Sequence, residues 1–223
     1  MEVLVTGGDT ELGRVIADRF HDAGHDVTLM GVDEDALKGA ADRLSAKIVV
    51  CDNTDPASLT DARGSIPHHI DAIVNVPAPR WTAGDPRTYS MTELAAAWRS
   101  IFDAHLLSAV LTVQTVGDHL RSGGSIISVL PENPAEGSAA AAVKAALADW
   151  TEGQAGVFGT RGITVNVIAS GGAARPGYDG LTGTAPSAPD EIARLALFLT
   201  TPSARHITGQ TLHVSSGALA HFG

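Results

Sequence analysis

Short apolar segments rich in β-branched residues alternate with amphipathic segments along the whole chain. The apolar segments predict strands, namely VLVTGG, HDVTLMG, AKIVVCD, HIDAIVNV, GGSIISVL, GITVNVIA and GQTLHVS. The amphipathic segments predict helices over 13–24, 33–44, 55–66, 92–121, 138–158 and 189–200. Mostly apolar strands with helices between neighbours are typical of a parallel sheet covered on both faces. We therefore expect a doubly wound α/β fold with a seven-stranded parallel sheet and ligands beyond the carboxyl ends of its strands.

Length and charge narrow the class of protein. The 223 residues contain no linker or repeat, so we expect a single domain over 1–223. A formal net charge of −10 argues against nucleic acid and anionic membranes as partners. Cys51 is the single cysteine, and the chain shows neither a signal-like start nor an apolar run near the length of a membrane span. These features predict a soluble cytoplasmic protein.

The histidines do not form a recognisable metal-binding pattern. All nine are scattered, and His68 and His69 are the only adjacent pair. No second pair of ligands follows at metal-site spacing, so we interpret them as loop histidines ahead of a strand. No metal site is predicted.

A series of short motifs follows the strands in order. The series is TGGDTELG, CDNTD, IVNVPA, GGSIISVL, Lys144 within EGSAAAAVKAALADW, RGITVNVIASGG and HITGQTLHVSSG. The first is a glycine turn between a strand and a helix, which lets a backbone approach a pyrophosphate at a helix N-terminus. Together, in this order and spacing, the motifs resemble the short-chain dehydrogenase/reductase family over essentially the whole chain.

This resemblance implies a fold, an activity and an assembly. The fold is a three-layer, doubly wound Rossmann-type domain, and the activity is NAD(P)-dependent hydride transfer at an alcohol or carbonyl carbon. The implied assembly is a homodimer or homotetramer. The long helix and the alanine-rich helix would form one subunit interface, and the C-terminal segment HITGQTLHVSSGALAHFG would lie near another.

The cofactor positions implied by the resemblance are partly kept. They are Thr6, Gly7 and Gly13 in the glycine turn, Asp52 at the adenine, Asn75 after the fourth strand, and Lys144 at the ribose. Asp52 fits a helix N-cap or a turn aspartate nearly as well, and Lys144 fits a plain exposed lysine equally well. NAD or NADP is the implied cofactor.

Glu11, Gly31 and Val32 put binding of that cofactor in question. Glu11 replaces the middle glycine of the family's turn, where two charges about 4 Å apart would repel by about 4 kcal/mol at an effective dielectric near 20. Its carboxylate could instead satisfy the helix N-terminus in place of a phosphate, or simply be a surface glutamate. Gly31 and Val32 occupy the positions of the ribose-selecting acid or base, and Asp33 is displaced by one residue.

Most catalytic positions of the family hold other residues. Lys144 remains, but Ala140 stands one helical turn before it, where the resemblance places the proton-transferring tyrosine. Leu130 and the two residues after it stand where the family has a serine, and His105 stands at its asparagine. Tyr178, in the loop after the sixth strand, and His105 are possible substitute acids. The alternatives, an exposed loop tyrosine and a histidine packed between subunits, are the more ordinary readings.

Three functions therefore stay open. The first is a family member with a degenerate active site, inactive or weakly active, that binds a small molecule or regulates. The second is a working NAD(P)-dependent oxidoreductase that uses Lys144 with Tyr178 or His105. The third is a lyase or isomerase reaction in the same cleft, which needs no hydride acceptor.

Overall fold

A seven-stranded parallel sheet forms the centre of the molecule. The computed structural model describes residues 1–78, 88–130, 138–170 and 188–214. The strands are β1 (Glu2–Val5), β2 (Asp26–Gly31), β3 (Lys47–Val50), β4 (Ile70–Asn75), β5 (Leu120–Leu130), β6 (Thr164–Ser170) and β7 (Thr211–Val214). They pair in the order β3-β2-β1-β4-β5-β6-β7, and every pair is parallel. The predicted fold class is confirmed.

Five of the seven α-helices in the described residues begin where a short polar side chain caps their first turn. They are α1 (Glu11–Asp22), α2 (Glu34–Leu44), α3 (Pro56–Ala62), α4 (Met91–Phe102), α5 (Ser108–Val116), α6 (Ala139–Gly159) and α7 (Ala188–Leu199). The side chains of Thr10, Asp33, Asp55, Ser90 and Ser138 accept hydrogen bonds from first-turn amides of α1, α2, α3, α4 and α6. These bonds satisfy donors that have no partner within the helix, which sets where each helix starts.

The predicted long helix over 92–121 is wrong at its C-terminal end. It comprises α4 and α5, joined by a π-helical segment over Asp103–Leu107, and it ends at Val116. After Gly117 the chain turns, and the amide of His119 donates to the carbonyl oxygen of Val116 at 3.0 Å. The next residue, Leu120, already pairs with Ile70 as the start of β5. Strand pairing with a residue 50 positions away thus decides this boundary.

The same helix bears on the expectation that the chain has no membrane span. In the described part of the chain, 91–116 is the one helix long and apolar enough to cross a membrane, with a mean hydropathy of 1.2. Length and composition alone are weak evidence for such a role. Ala109, Val113 and Val116 of this helix pack in hydrophobic cores of the α/β fold.

Both faces of the sheet are covered, as expected for a doubly wound fold. On one face Val3 and Val5 pack with Ile16 and Phe20 of α1 and with Ile192 of α7. On the other face Leu4, Ile73 and Ile126 pack with Leu59 of α3 and with Val113. The order of the strands reverses between β1 and β4, so a crevice opens there at the carboxyl edge of the sheet, the usual ligand position in such folds.

Candidate functional site at the carboxyl edge of the sheet

The glycine turn after β1 packs backbone against backbone. Gly7 has a φ of 59°, and a Cβ there would lie 2.5 Å from the carbonyl oxygen of Val76. A Cβ on Gly13 would lie 2.0 Å from the carbonyl oxygen of Gly7. Both positions therefore require glycine, and together they bring the start of α1 close to the ends of β1 and β4.

Thr10 caps the helix that follows this turn. Its Oγ1 accepts a hydrogen bond from the amide of Gly13 at 3.0 Å and donates to the carbonyl oxygen of Gly7 at 2.7 Å. Glu11 is the first residue of α1 and is exposed, so the capping role that its carboxylate could have taken belongs to Thr10. Glu11 lines an open cleft of about 370 Å³ together with Pro77 and Ile192.

Asn75 connects β4 to β5 beneath this crevice. Its side chain is buried, and Nδ2 donates to Oγ of Ser128 at 3.3 Å. Its Oδ1 is also buried and has no hydrogen-bond partner among the described residues. The neighbouring Val76 donates its amide to Oγ1 of Thr6 at 3.0 Å, which ties the end of β4 to the end of β1.

Asp52 is a turn aspartate and not a helix cap. Its Oδ1 accepts hydrogen bonds from the amide and the hydroxyl of Thr54, at 3.0 and 2.7 Å. The N-cap of α3 is Asp55. Residues on either side of Asp52, Cys51 and Asn53, line a narrow crevice with Gly7 and Gly31. The ends of β1, β2 and β3 therefore meet where the sequence predicted an adenine-binding position.

Nothing in the sequence pattern marks Asp9, yet it contacts the end of β2. Its Oδ2 accepts hydrogen bonds from the amides of Val32 at 2.9 Å and of Asp33 at 3.1 Å. Its Oδ1 lies against Gly31, where a Cβ would be 2.5 Å away. A contact across 23 residues has no local periodicity, so sequence reasoning placed Asp9 in the glycine turn TGGDTELG and did not find its contact with β2.

His105 lies in the π-helical segment between α4 and α5. The residue is half-buried, and its Nδ1 atom is buried without a hydrogen-bond partner in the part of the chain that the structure describes. Burial lowers the pKa of His105 below its ordinary value because the charged imidazolium loses hydration. Single π turns inside α-helices are frequent at functional sites. The neighbouring Ala104 lines the crevice that also contains Gly7.

Lys144 lies on the second turn of α6, with Ala140 one turn before it. Lys144 is half-buried, and the hydroxyl nearest to Ala140 in sequence, that of Ser138, accepts the amide of Ala141 at 3.1 Å as the helix cap. On β7, burial lowers the pKa of His213, and the positive charge of Lys144 lowers it further. Lys144 is therefore close enough to β7 to act on its electrostatics.

The family model described as "Enoyl-(Acyl carrier protein) reductase" matches residues 9–218. The chain belongs to the short-chain dehydrogenase/reductase family. It is 64% identical over its full length to the full length of a Mycobacterium tuberculosis protein named "Putative oxidoreductase Rv1856c". It is also 30% identical to the Escherichia coli 3-oxoacyl-acyl-carrier-protein reductase FabG, with 96% of this chain and 95% of that protein covered.

A solved structure from the same family has the same fold. This is a Burkholderia cenocepacia short chain dehydrogenase in complex with NADP, which is 26% identical to this chain. The alignment covers 98% of this chain and 97% of that one, with a TM-score of 0.80.

The structure brings some of the family's positions together and leaves others undescribed. Thr6, Gly7 and Gly13 adjoin Asn75 and Val76 at the switch between β1 and β4. Tyr178 and the residues directly after Leu130 lie outside the described residues. In the described ranges, no group of three or more His, Cys, Asp or Glu side chains could hold a metal ion.

Proposed function

We propose that this short-chain dehydrogenase/reductase binds a nicotinamide dinucleotide at the carboxyl edge of its sheet but lacks an efficient proton-transfer unit. Its role would be to bind or regulate, with little or no turnover. The observation that carries the proposal is a contrast within one site. The glycine turn keeps its tight backbone geometry, whereas Ala140 stands one turn before Lys144 on α6, at the position where the family's tyrosine would stand.

The described residues fit the cofactor. Gly7 and Gly13 have no side chains, and a Cβ on either would meet a carbonyl oxygen, so the backbone of the turn lies close to the ends of β1 and β4. The first amides of α1 have no carbonyl partner within the helix, and an N-terminus of this kind stabilises phosphate groups. Glu11 is exposed, so solvent and rotation of its side chain reduce its repulsion of a phosphate. The NADP in the Burkholderia cenocepacia protein supports the same choice of ligand.

In this proposal, the site lacks a group that transfers a proton at the substrate oxygen. A bound nicotinamide supplies or accepts the hydride, and the protein must move a proton at the substrate oxygen. The methyl group of Ala140 cannot do this, and the loss of one positioned general acid lowers rates by about 10²- to 10⁴-fold. Lys144 alone can donate to a ribose or hold a positive charge near the site.

A specific observation favours a second candidate, a working oxidoreductase with His105 as the substitute. Nδ1 of His105 is buried without a described partner, at a π turn beside the crevice. Because its pKa is lowered, the neutral imidazole dominates at neutral pH, which suits a proton acceptor better than a donor. Tyr178 remains an alternative substitute, outside the described residues.

We also infer a homodimer or homotetramer in the cytoplasm. The helix 91–116 has apolar side chains on its outer surface, and Trp98 and Leu107 each keep 39% of their surface exposed. A second copy packed on this helix would bury them. A monomeric mass in solution would contradict the assembly.

Calorimetric titration with NAD⁺ and NADP⁺, followed by an assay of reduced-cofactor oxidation, tests the proposal. We expect at least one dinucleotide to bind, and at about 100 times its Kd it should raise the free energy of unfolding by about 2.7 kcal/mol. Turnover of simple aldehydes and ketones should remain near background. Ala140→Tyr should raise it by less than about tenfold, far below the usual contribution of a positioned acid, because the serine position is also changed.

Ala140→Phe is the matched control, since it adds the ring without the hydroxyl. A gain of about 10²-fold or more in Ala140→Tyr and none in Ala140→Phe would show that only the tyrosine is missing. Turnover by the unaltered protein that falls at least about 100-fold in His105→Gln would replace the proposal by the second candidate.

A further inference from the structure

The end of β2 is already occupied by a carboxylate from the glycine turn. Oδ2 of Asp9 accepts hydrogen bonds from two consecutive amides, those of Val32 and Asp33. Asp33 is also the N-cap of α2, so both donors belong to the junction between β2 and its helix. In doubly wound folds the adenosine ribose of a dinucleotide lies at this junction.

Gly31 makes room for Asp9 in this position. A Cβ on residue 31 would lie 2.5 Å from Oδ1 and 2.6 Å from Cγ of the aspartate. Any larger residue would push the carboxylate off the two amides that hold it. Gly31 stands where the resemblance places the ribose-selecting residue. Because Gly31 has no side chain, the carboxylate of Asp9 can lie against the end of β2.

The second carboxylate oxygen of Asp9 has no hydrogen-bond donor within the described ranges. Oδ1 is buried, and no partner for it exists among the described residues. The nearest guanidinium does not supply one, since Nη1 of Arg14 donates to the backbone carbonyl oxygen of Asp9 at 3.0 Å. A buried acceptor without a donor is unfavourable, so a ligand hydroxyl that reaches it would be stabilised.

Acidic side chains outnumber basic ones around this junction. Asp33, Glu34 and Asp35 follow in sequence, and the ammonium of Lys38 is paired with Glu34 at 2.7 Å. The other cation here, the guanidinium of Arg14, donates to the backbone carbonyl oxygen of Asp9. A ribose 2′-hydroxyl can donate a hydrogen bond to a carboxylate. A 2′-phosphate carries about two negative charges at neutral pH and has no proton to donate. The carboxylate of Asp9 would therefore repel it instead of accepting a hydrogen bond from it.

We propose that Asp9 recognises the 2′ position of the adenosine ribose and makes the site select NAD over NADP. The inference rests on the proposed binding of a nicotinamide dinucleotide. It assigns ribose selection to the glycine turn, since Gly31 and Val32 at the end of β2 have no side chain suited to it.

Calorimetric titration of the wild-type protein, Asp9→Asn and Asp33→Asn with NAD⁺ and NADP⁺ tests this assignment. Wild type should bind NAD⁺ at least about tenfold more tightly than NADP⁺, as expected for one added like-charge contact that solvent partly screens. Asn at position 9 keeps an acceptor for the two amides and places an NH₂ donor at the unpartnered position. It should reduce the NAD⁺ preference by at least about tenfold, mainly through tighter NADP⁺ binding.

Asp33→Asn is the matched control. It removes a neighbouring charge, keeps a good N-cap for α2 and leaves the carboxylate of Asp9 in place. The preference should change by less than about threefold, because the charge that faces the ribose remains. If Asp9→Asn does not fold, Gly31→Ala displaces the same carboxylate and should weaken the preference in the same direction.

Each other result is decisive. Equal binding of the two dinucleotides by wild type, or tighter binding of NADP⁺, would overturn the inference and leave the proposed function intact. An equal effect of Asp9→Asn and Asp33→Asn would assign the preference to net charge and overturn the role of Asp9. If neither dinucleotide binds to any of these proteins, the proposed function fails and this inference fails with it.

Discussion

Two regions at the carboxyl edge of the sheet, the glycine turn after β1 and the start of α6, differ in how their polar groups are used. At the glycine turn, Thr6, Asp9 and Thr10 all make hydrogen bonds that join the turn to β4, to β2 or to α1. At the start of α6, the side chains around Lys144 are mainly alanine, and the nearby hydroxyl of Ser138 serves only as the helix cap.

This difference shows which part of a site depends on the fold and which part depends on single side chains. The geometry of the glycine turn comes from backbone contacts that also hold α1 against the sheet, so a change there damages the fold. Ala140 makes no comparable demand, because a helix accepts alanine without loss. In the proposed function, the site therefore keeps the backbone shape that binds a dinucleotide without a group that transfers the proton.

The largest expected effect is a loss of stability caused by a substitution in the glycine turn. Gly13→Ala places a Cβ about 2.0 Å from the carbonyl oxygen of Gly7, so α1 or the turn must shift. We expect the free energy of unfolding to fall by about 3 kcal/mol, as for a severe overpacking substitution. Equilibrium unfolding in urea measures it.

Gly39→Ala is its control, on the exposed face of α2, where a Cβ would meet nothing within 4 Å. It should stabilise the protein by roughly 0.5 to 1 kcal/mol, because alanine favours the helix interior. A similar small change in both variants would mean that the close packing of the turn is not required.

The next prediction concerns His105, in the π-helical segment between α4 and α5. Burial lowers its pKa in the folded protein below 6.5, so the unfolded chain takes up a proton first as the pH falls. The stability that the neutral imidazole provides is complete above about pH 6.5 and is lost below it, by at most about 1.4 kcal/mol per pH unit.

Urea unfolding of wild type and His105→Gln, at several values from about pH 7.5 to about pH 5, measures this loss. The difference between the two proteins should change only below about pH 6.5, because glutamine does not titrate. His25 and His213, whose pKa values burial also lowers, are common to both proteins and cancel in the difference. Parallel profiles would show that the imidazole of His105 is not desolvated in the folded state.

The smallest effect compares two caps directly. Thr10→Ala and Ser138→Ala each remove a hydroxyl that accepts a first-turn amide, so each should lower the free energy of unfolding by about 1 kcal/mol. We expect only Thr10→Ala to weaken dinucleotide binding as well. Thr10→Ser, which keeps the hydroxyl, should restore both properties. Equal weakening of binding by both alanine variants would contradict the distinction between the glycine turn and the start of α6.

Much of the fold was predictable because its signals are local. Alternating apolar strands and amphipathic helices indicated a parallel, doubly wound sheet, and the order of the motifs indicated the family. The helix boundary at Val116 was not predictable in this way. The residues up to 121 remain compatible with a helix in sequence, and the pairing of Leu120 with Ile70 takes them into the sheet instead.

The candidate site was also predictable only where its signals are local in the sequence. Gly7 and Gly13 were identified from a motif, and the proposal that Ala140 stands at the family's tyrosine position came from its spacing to Lys144. The partner of Asp9 and the burial of His105 were not visible. One depends on a contact between β2 and a turn 23 residues away, and the other depends on a π turn set by packing.

By itself, then, the sequence determined the alternation of strands and helices, the glycine turn and the position of Ala140 one helical turn before Lys144, since each of these depends on residues close together in the chain. Only the tertiary structure decided that Thr10 and not Glu11 caps α1, that Asp52 forms a turn, and that Asp9 holds the end of β2. The contact of Asp9 depends on distances that parallel pairing of β1 and β2 sets between segments remote in sequence. The bonds of Thr10 and Asp52 are local, but the packed chain decides which of several turn conformations forms.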